Sequence, residues 1–395
     1  MMYISLSRIG RLEPEEEKLN SFSLTDEQLE LGVLAREFCE KRVYPITRKL
    51  DEEGLPDELI SELADLGYLG SSIPEKYGGM GVDPFALACM IEEFARANGG
   101  LATLFAAHLS LGCKSIELFG NEEQKQKYLP QAAKGAIVSF CITEPNAGTD
   151  VFSIQAKAES DKDTFILNGQ KQFITSADIA RLFVVFCKTE KGPAGFLVER
   201  DTDGLTVGVP EKKMGIQSSK TCSVHFQDVK IPAENMIGEP GKGLRVCLNV
   251  LDYGRLGVAA GALGMAEQAF SEAVDYAQNR VQFGKTIASF QATQFKFADM
   301  RVEIDASRYL LYHALAKCCE GGRFSTEAAM AKLKASEVAS FVGDENIQIH
   351  GGYGYTQDYN AERLWRDARI TRIYEGTSEA MRMIIGGEYR IKKEK

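Results

Sequence analysis

Apolar positions recur at helical spacing over the first third of the chain. They shift to short β-rich runs in the middle and return to helical spacing over the last third. Leu31, Leu34, Phe38 and Val43 fall roughly on one helical face, preceded by Thr25 with Gln28 three residues later, a capping-box arrangement. Pro45 predicts the end of that pattern. The stretch 55–70 carries Pro56 early and Gly67 late, as a short helix does. After a glycine-rich loop at "IPEKYGGMGVD", two apolar helices are predicted over about 84–98 and 101–119, followed by a polar one at "NEEQKQKYLPQAAKG".

Near residue 136 the texture changes to runs rich in Val, Ile, Phe and Thr, among them "AIVSFCIT", "TFILNG", "QKQFITSA", "LFVVFCKT" and "TCSVHFQDVKIP". Asn168-Gly169 between two of these runs predicts a tight hairpin turn. Many short strands without intervening helices predict a small barrel or a sandwich, not a parallel sheet. From about 241 onward three long amphipathic patterns follow, at 243–280, 290–318 and about 325–350, and long helices with short links predict a bundle.

Composition narrows the function classes. The 395 residues are 44% apolar and 26% charged with a net charge of −10. No Lys/Arg cluster offers the counterion release that drives nucleic-acid binding. The nine cysteines form no Cys-x-x-Cys pair, and Cys318 and Cys319 are adjacent. That usage predicts a reduced intracellular protein, not a disulfide framework. His108, His225, His313 and His350 are too scattered for a zinc site. The N-terminus turns acidic at "EPEEEK" and lacks a signal-like apolar core, and no run of about eighteen apolar residues predicts a membrane span. The expected location is cytoplasmic, with no membrane or nucleic-acid partner.

Generic motifs fail. "FGKT" at 283–286 resembles the tail of a P-loop, but the first glycine of that motif would fall on Asn279. No Gly-x-Gly-x-x-Gly follows a strand, and no Gly-x-Ser-x-Gly elbow is present. Six other stretches occur in a fixed order instead: "FCITEPNAGTD" at 140–150, "NGQKQFITSA" at 168–177, "NRVQFGK" at 279–285, "IQIHGGYGY" at 347–355, "RDARI" at 366–370 and "IYEGTSE" at 373–379. Together the chain resembles the acyl-CoA dehydrogenase family of flavoenzymes, from about residue 24 to 390.

The resemblance implies an α+β, mostly α protein: an N-terminal arm over 1–23, an N-terminal helical domain over 24–135, a middle β-barrel over 136–240 and a C-terminal four-helix-bundle-like domain over 241–395. It implies FAD as cofactor, a homotetramer and an electron-transferring flavoprotein as acceptor. Phe140, Ile142 and Thr143 then lie along the flavin, with Thr143 at its pyrimidine edge. Thr149 serves flavin and substrate, and the Thr175 hydroxyl reaches the flavin near N5. Phe173 stands where many members carry Trp, and Phe140 replaces a common Tyr. Arg280, Phe283, Gln348, Gly351 and Gly352 match residues that reach the cofactor from a second subunit, where a guanidinium suits a pyrophosphate. Thr377 and Glu379 begin the last helix, whose free N–H groups favour an anion.

Glu375 matches the family's base, which takes the α-proton of an acyl-CoA thioester while a hydride leaves Cβ for flavin N5, giving the trans-2-enoyl-CoA. Burial beside Ile373 and Tyr374 would raise its pKa toward the working pH. Gly376 permits close approach of the thioester, and Asp252, Arg255 and Tyr374 are expected along the substrate. In relatives that place the base elsewhere, the alternative position corresponds here to Gly254, which has no side chain. Taken alone, Glu375 would read as a helix N-terminal charge and Arg255 as half of a surface ion pair. Relatives that decarboxylate a dicarboxyl substrate carry charge at positions matching Ala102 and Ala95, so a glutaryl group is disfavoured. Ala106 is small as well, and a short to medium saturated or branched acyl chain is expected. Two readings compete: a related flavoenzyme acting on an acyl-carrier-protein thioester, and a non-catalytic helical assembly protein of the same fold.

Overall fold

The computed structural model describes residues 24–389, so the arm expected over 1–23 lies outside the described residues. The first helix, α1 (Asp26–Phe38), starts as the capping box requires. The Thr25 hydroxyl accepts from Gln28 N–H at 3.3 Å, and the Gln28 side chain accepts from Thr25 N–H at 2.8 Å. After a π-turn at Cys39–Val43 and Pro45 come α2 (Thr47–Glu53), α3 (Asp57–Asp65), α4 (Pro84–Ala97) and α5 (Gly99–Ala106). A second π-turn at Ala107–Cys113 interrupts the apolar helix predicted over 101–119, which resumes as α6 (Lys114–Phe119) before α7 (Glu122–Ala133).

The middle domain is one eight-stranded sheet. Its strands are β1 (Val138–Cys141), β2 (Lys157–Asp161), β3 (Thr164–Thr175), β4 (Leu182–Thr189), β5 (Gly192–Glu199), β6 (Leu205–Val207), β7 (Thr221–Pro232) and β8 (Met236–Ile237). The path runs β6-β7-β3-β2-β4-β5-β8, with β1 beside β4. Inward residues of β2, β3, β4, β5 and β7 share one apolar core, as in a sheet rolled on itself. Most pairings are antiparallel, but β1 runs parallel to β4, and β2 makes one further parallel contact on the same edge. β4 explains its unbroken apolar run "LFVVFC". Phe183, Val185 and Cys187 enter the sheet's own core, while Leu182, Val184 and Phe186 pack on the helices.

Asn168-Gly169 forms no hairpin, contrary to the sequence expectation: both residues lie inside the continuous strand β3. Gly169 has φ +144° and marks a bulge in the β3–β7 register. Asn168 is held across the sheet by Asp228, donating to its carboxylate at 3.0 Å and accepting from its N–H at 2.8 Å. The tight turn sits instead between β2 and β3, where Lys162 has φ +53°.

The C-terminal domain comprises α8 (Gly243–Asn279), α9 (Gln291–Glu320), α10 (Ser325–His350), α11 (Ala361–Ile370) and α12 (Ser378–Gly387). Helix α8 is long and apolar enough to cross a membrane, but 83% of the qualifying stretch is packed inside the protein, as a central core helix must be. It packs on α4 and α10. Between α4, α8 and α9 the buried Arg308 bonds to both Glu92 and Glu267, each closer than 3 Å.

All three domains meet at Asn98. Its carboxamide oxygen caps α5 by accepting from Leu101 N–H at 2.9 Å and accepts the Ser218 hydroxyl of the β6–β7 connection at 2.5 Å. Its amide donates to Thr47 at 2.9 Å. Beside it Asp367 of α11 accepts from Ile216 N–H at 2.5 Å. Asn98 is fully buried, so loss of its side chain leaves several polar groups unpaired. Asn98→Ala is expected to destabilise the protein by roughly 2–4 kcal/mol, read as a drop of several degrees in the thermal midpoint; an unchanged midpoint would contradict the junction's role.

Candidate active site

Between α11 and α12 the chain makes a tight turn in which Glu375 has φ +52° and Gly376 φ +104°. A left-handed glutamate is a strained placement that persists only where surroundings impose it. The N–H groups of Ile373, Tyr374 and Ser378 all bond within the turn. The cap of α12 is Thr377, whose hydroxyl accepts from Ala380 N–H at 3.2 Å. Glu379 is the exposed first-turn carboxylate, held below the usual range by its own N–H and the Thr377 hydroxyl. Helix-terminal duties thus fall to Thr377 and Glu379, and Glu375 has another environment. Its Oε2 is buried and has no hydrogen-bond partner.

Burial pushes the Glu375 carboxyl up to about 7, with the positive charges of Lys332 and Arg255 opposing that rise. Arg255 is 5% exposed, so it is no surface ion pair. Its Nε donates to the Glu375 carbonyl at 3.3 Å and its Nη1 to Asp252 at 2.5 Å. The Ser325 hydroxyl donates to the other Asp252 oxygen. Burial raises the Asp252 carboxyl, although Ser325 and Arg255 both hold it down. Lys332, on α10, donates to the Gly376 carbonyl at 2.6 Å. Gly254 faces the carboxylate directly: a Cβ there would lie 2.0 Å from Glu375 Oε2 and 2.5 Å from Leu111 Cδ2.

The carboxylate opens on an apolar pocket whose walls include Ala102, Thr103 and Ala106 from the N-terminal domain, Val258 and Met265 from α8, and Tyr374. The Tyr374 phenol pairs with Thr103 and is raised by burial. The walls close tightly, since a Cβ on Gly257 would sit 3.3 Å from Ala106 Cβ. Ala102 lines this pocket, whereas Ala95 packs against Gly261 and Gly264 of α8.

The expected cofactor residues fall into separate groups. On the middle domain, Phe173 is 61% exposed with φ +58°, at the register shift between Lys171 and Ile174. Thr143 and Thr175 are half-buried, with their carbonyls accepting from Gln172 N–H at 2.8 Å and the Ser139 hydroxyl at 2.7 Å. Phe140 stacks obliquely on Phe186, the Ile142 carbonyl accepts from Lys171, and Thr149 is exposed. At the far end of α8 and α10, Arg280, Gly351 and Gly352 line one cavity with Tyr353, and the Arg280 guanidinium lies 5.6 Å from that ring. This cavity shares no lining residue with the pocket at Glu375. Phe283 is 94% exposed, and neither it nor the exposed Gln348 lines the cavity.

Two buried lysines escaped the sequence reading. Lys171 is fully buried against Glu144 at 2.7 Å, and Glu144 in turn accepts from Gln155 and Ala156 N–H. The pair anchors the loop that carries Thr143 and Thr149. Lys332 lies on the buried stripe Ala328, Ala331, Ala335 and Ala339 of α10. A lone charge on an apolar stripe is the signal that would have marked it.

The family models for the acyl-CoA dehydrogenase N-terminal, middle and C-terminal domains match residues 25–136, 139–229 and 241–389. A short-chain specific acyl-CoA dehydrogenase of Megasphaera elsdenii is 46% identical over 377 residues, covering 93% of this chain and 98% of that one. A chain in a solved structure described as the electron transferring flavoprotein of Acidaminococcus fermentans superposes with a TM-score of 0.92. It is 42% identical, with 94% of this chain and all of that one covered. The Bacillus anthracis acyl-CoA dehydrogenase complexed with FAD gives 0.89 at 34% identity, covering 93% of this chain and 67% of that one. The chain belongs to the acyl-CoA dehydrogenase family.

The contact between α8 and the turn has a direct consequence. Gly254→Ala is expected to drive the Glu375 carboxylate out of its present position, visible as a rotated side chain in a crystal structure of the variant. An undisturbed carboxylate would mean that Leu111 and α8 yield instead.

Proposed function

We propose that the protein is an FAD-dependent acyl-CoA dehydrogenase that converts a short-chain acyl-CoA to its trans-2-enoyl product, with Glu375 as the base. One observation carries this reading: a buried carboxylate oxygen without a partner faces an apolar pocket, and its pKa is raised to about 7. A general base works best when its pKa lies near the operating pH, and a desolvated carboxylate is a stronger base than a hydrated one. Glu375 Oε2 takes the α-proton. The N–H of Glu375, which donates to no group among the described residues, is left free to donate to the thioester oxygen, where charge builds. Arg255 holds the Glu375 carbonyl and is itself oriented by Asp252. Tyr374, Ala102 and Ala106 exclude water from the reacting bond.

The residues present fit FAD. The exposed, left-handed Phe173 offers a ring to a planar group, and the half-buried Thr143 and Thr175 are its neighbours through Gln172 and along β3. Arg280, Gly351 and Gly352 form a cavity open to backbone approach, where an added Cβ on either glycine would meet nothing. When bound, FAD supplies the two-electron oxidant. A short acyl chain is supported by the Megasphaera elsdenii relative's name. The uncharged Ala102 disfavours a glutaryl group. An electron-transferring flavoprotein as acceptor is supported by the Acidaminococcus fermentans likeness.

A homotetramer is supported by a stripe of exposed apolar residues one heptad apart on α9: Phe295, Val302 and Tyr309, exposed by 58%, 66% and 57%. The separation of the Arg280 cavity from the Glu375 pocket points the same way, with each cofactor held by two subunits.

In the wild-type enzyme, butyryl-CoA should bleach the flavin absorbance without added acceptor. Glu375→Gln should stay yellow and bind the thioester, yet bleach roughly 10²–10⁴-fold more slowly. Because the carboxylate is the active form, the wild-type rate should rise as pH rises through about 7. Normal bleaching by the variant would eliminate Glu375 as the base, and bleaching only by acyl-carrier-protein thioesters would replace the substrate class. Val302→Glu should shift the native mass to smaller species and lower FAD retention; an unchanged mass would remove the stripe from the interface.

A further inference from the structure

Lys332 is fully buried, and an ammonium in that position is costly unless it does something there. It makes no salt bridge to Glu375. Its Nζ instead donates to the Gly376 carbonyl at 2.6 Å, one residue beyond the carboxylate. We infer that Lys332 is a positioning residue for the proposed base: it clamps the Gly376 carbonyl to hold the left-handed turn, and its charge, kept out of contact in a dry interior, favours the Glu375 carboxylate without occupying Oε2. The inference rests on Glu375 being the base.

A direct ion pair would stabilise the carboxylate more strongly, but it would also bond the lone pairs that must receive a proton. A cation spent on a neighbouring carbonyl acts only through space. In the low-dielectric interior that action is strong, because few solvent dipoles screen it. The unpartnered state of Oε2 and the short Lys332–Gly376 bond are therefore two sides of one arrangement.

One other cation faces this site. From α8, Arg255 donates to the Glu375 carbonyl at 3.3 Å and also favours the carboxylate, less than Lys332 does, while its Nη1 is bonded to Asp252, which Ser325 of α10 also bonds. From the N-terminal domain, Leu111 and Thr103 bring no charge. On the turn's own segment stand Tyr374, raised by burial and by Glu375, and the exposed Glu379. From α11, Asp367 acts on Tyr374 and sits at about 6. Lys332 itself is pushed down to about 8 by burial, while Glu375 and Glu379 oppose that fall.

The test compares Lys332→Met, Lys332→Gln and Lys332→Arg in the FAD-loaded enzyme. Two readouts are followed against pH: the rate of flavin bleaching by butyryl-CoA, and the infrared band of the protonated Glu375 carboxyl, assigned by its disappearance in Glu375→Gln. Both neutral variants should move the acid limb of the rate and the infrared midpoint upward by about one pH unit, tenfold in the ionised fraction at a fixed acidic pH. Lys332→Arg should keep both near the wild-type position. A loss of rate that is uniform across pH, with the midpoint unmoved, would overturn the electrostatic role. So would failure of both neutral variants to fold while Lys332→Arg folds, which would assign the residue to structure alone. If Glu375→Gln bleaches normally, the base assignment fails first, and that result is distinct from any outcome at Lys332.

Discussion

A carboxylate oxygen held dry and unbonded is unfavourable, and the fold around Glu375 is organised to keep it so. The left-handed turn could relax and let the side chain reach water. It is stopped by groups from every side: Arg255 on the Glu375 carbonyl, Lys332 on the Gly376 carbonyl, the Thr377 cap, and the backbone of α8 at Gly254. Any side chain at residue 254 would collide with the carboxylate, so the base can occupy this pocket from the turn or from α8, but not from both. Helix and turn therefore leave room for one carboxylate between them.

That constraint reaches outward to the junction of the three domains. α11 carries Asp367 and ends where the turn begins, and Asp367 is tied to Ile216 of the middle domain beside Asn98 of the N-terminal domain. The pocket walls come from the N-terminal helices, the proposed base from the C-terminal turn, and the threonines proposed to hold the flavin from the middle domain. Their relative placement depends on buried hydrogen bonds whose partners lie more than a hundred residues apart. A small hydrogen-bonded polar junction suits this task better than apolar packing, which tolerates sliding. Asp367 is itself raised to about 6, mainly by burial. Its folded-state pKa lies above the usual carboxylate value, so its contribution favours folding at low pH and is lost as pH rises through about 6.

Much of this was legible in the sequence, because the informative signals are local. The capping box at Thr25, the unbroken apolar run of β4 and the helical stripes of α8, α9 and α10 each reflect nearest-neighbour physics. The three-part division and the turn at Glu375 followed from motif order. What was not legible depends on partners distant in the chain. Asn168-Gly169 carries the composition of a hairpin, but Asp228 on β7 satisfies Asn168 from across the sheet, and the bulge takes the place of a turn. The parallel seat of β1 on β4 has no pattern of its own. Lys332 drew no reading from the sequence, because only Gly376, forty-four residues later, gives its ammonium an acceptor.

The distribution of the remaining expected residues bears on assembly. Phe173, Thr143 and Thr175 lie on the sheet, while Arg280, Gly351 and Gly352 surround a separate cavity at the opposite end of two helices, α8 and α10, that are 37 and 26 residues long. At 1.5 Å per residue such helices span roughly 55 and 40 Å. The motif at Glu375 packs against the N-terminal third of both, at Gly254 and Lys332. The distances from there to Arg280 and Gly351 are about twenty-six and nineteen residues of helix, or roughly 40 and 30 Å. A dinucleotide extends for less than that, so one chain's Arg280 end is poorly placed to serve the same chain's pocket. Exposed apolar residues along α9, between these two ends, provide the surface on which a second copy would bring its own Arg280 within reach. On this argument the proposed oligomer would complete the cofactor site as well as stabilise the fold, and loss of that interface should cost cofactor before it costs helical structure.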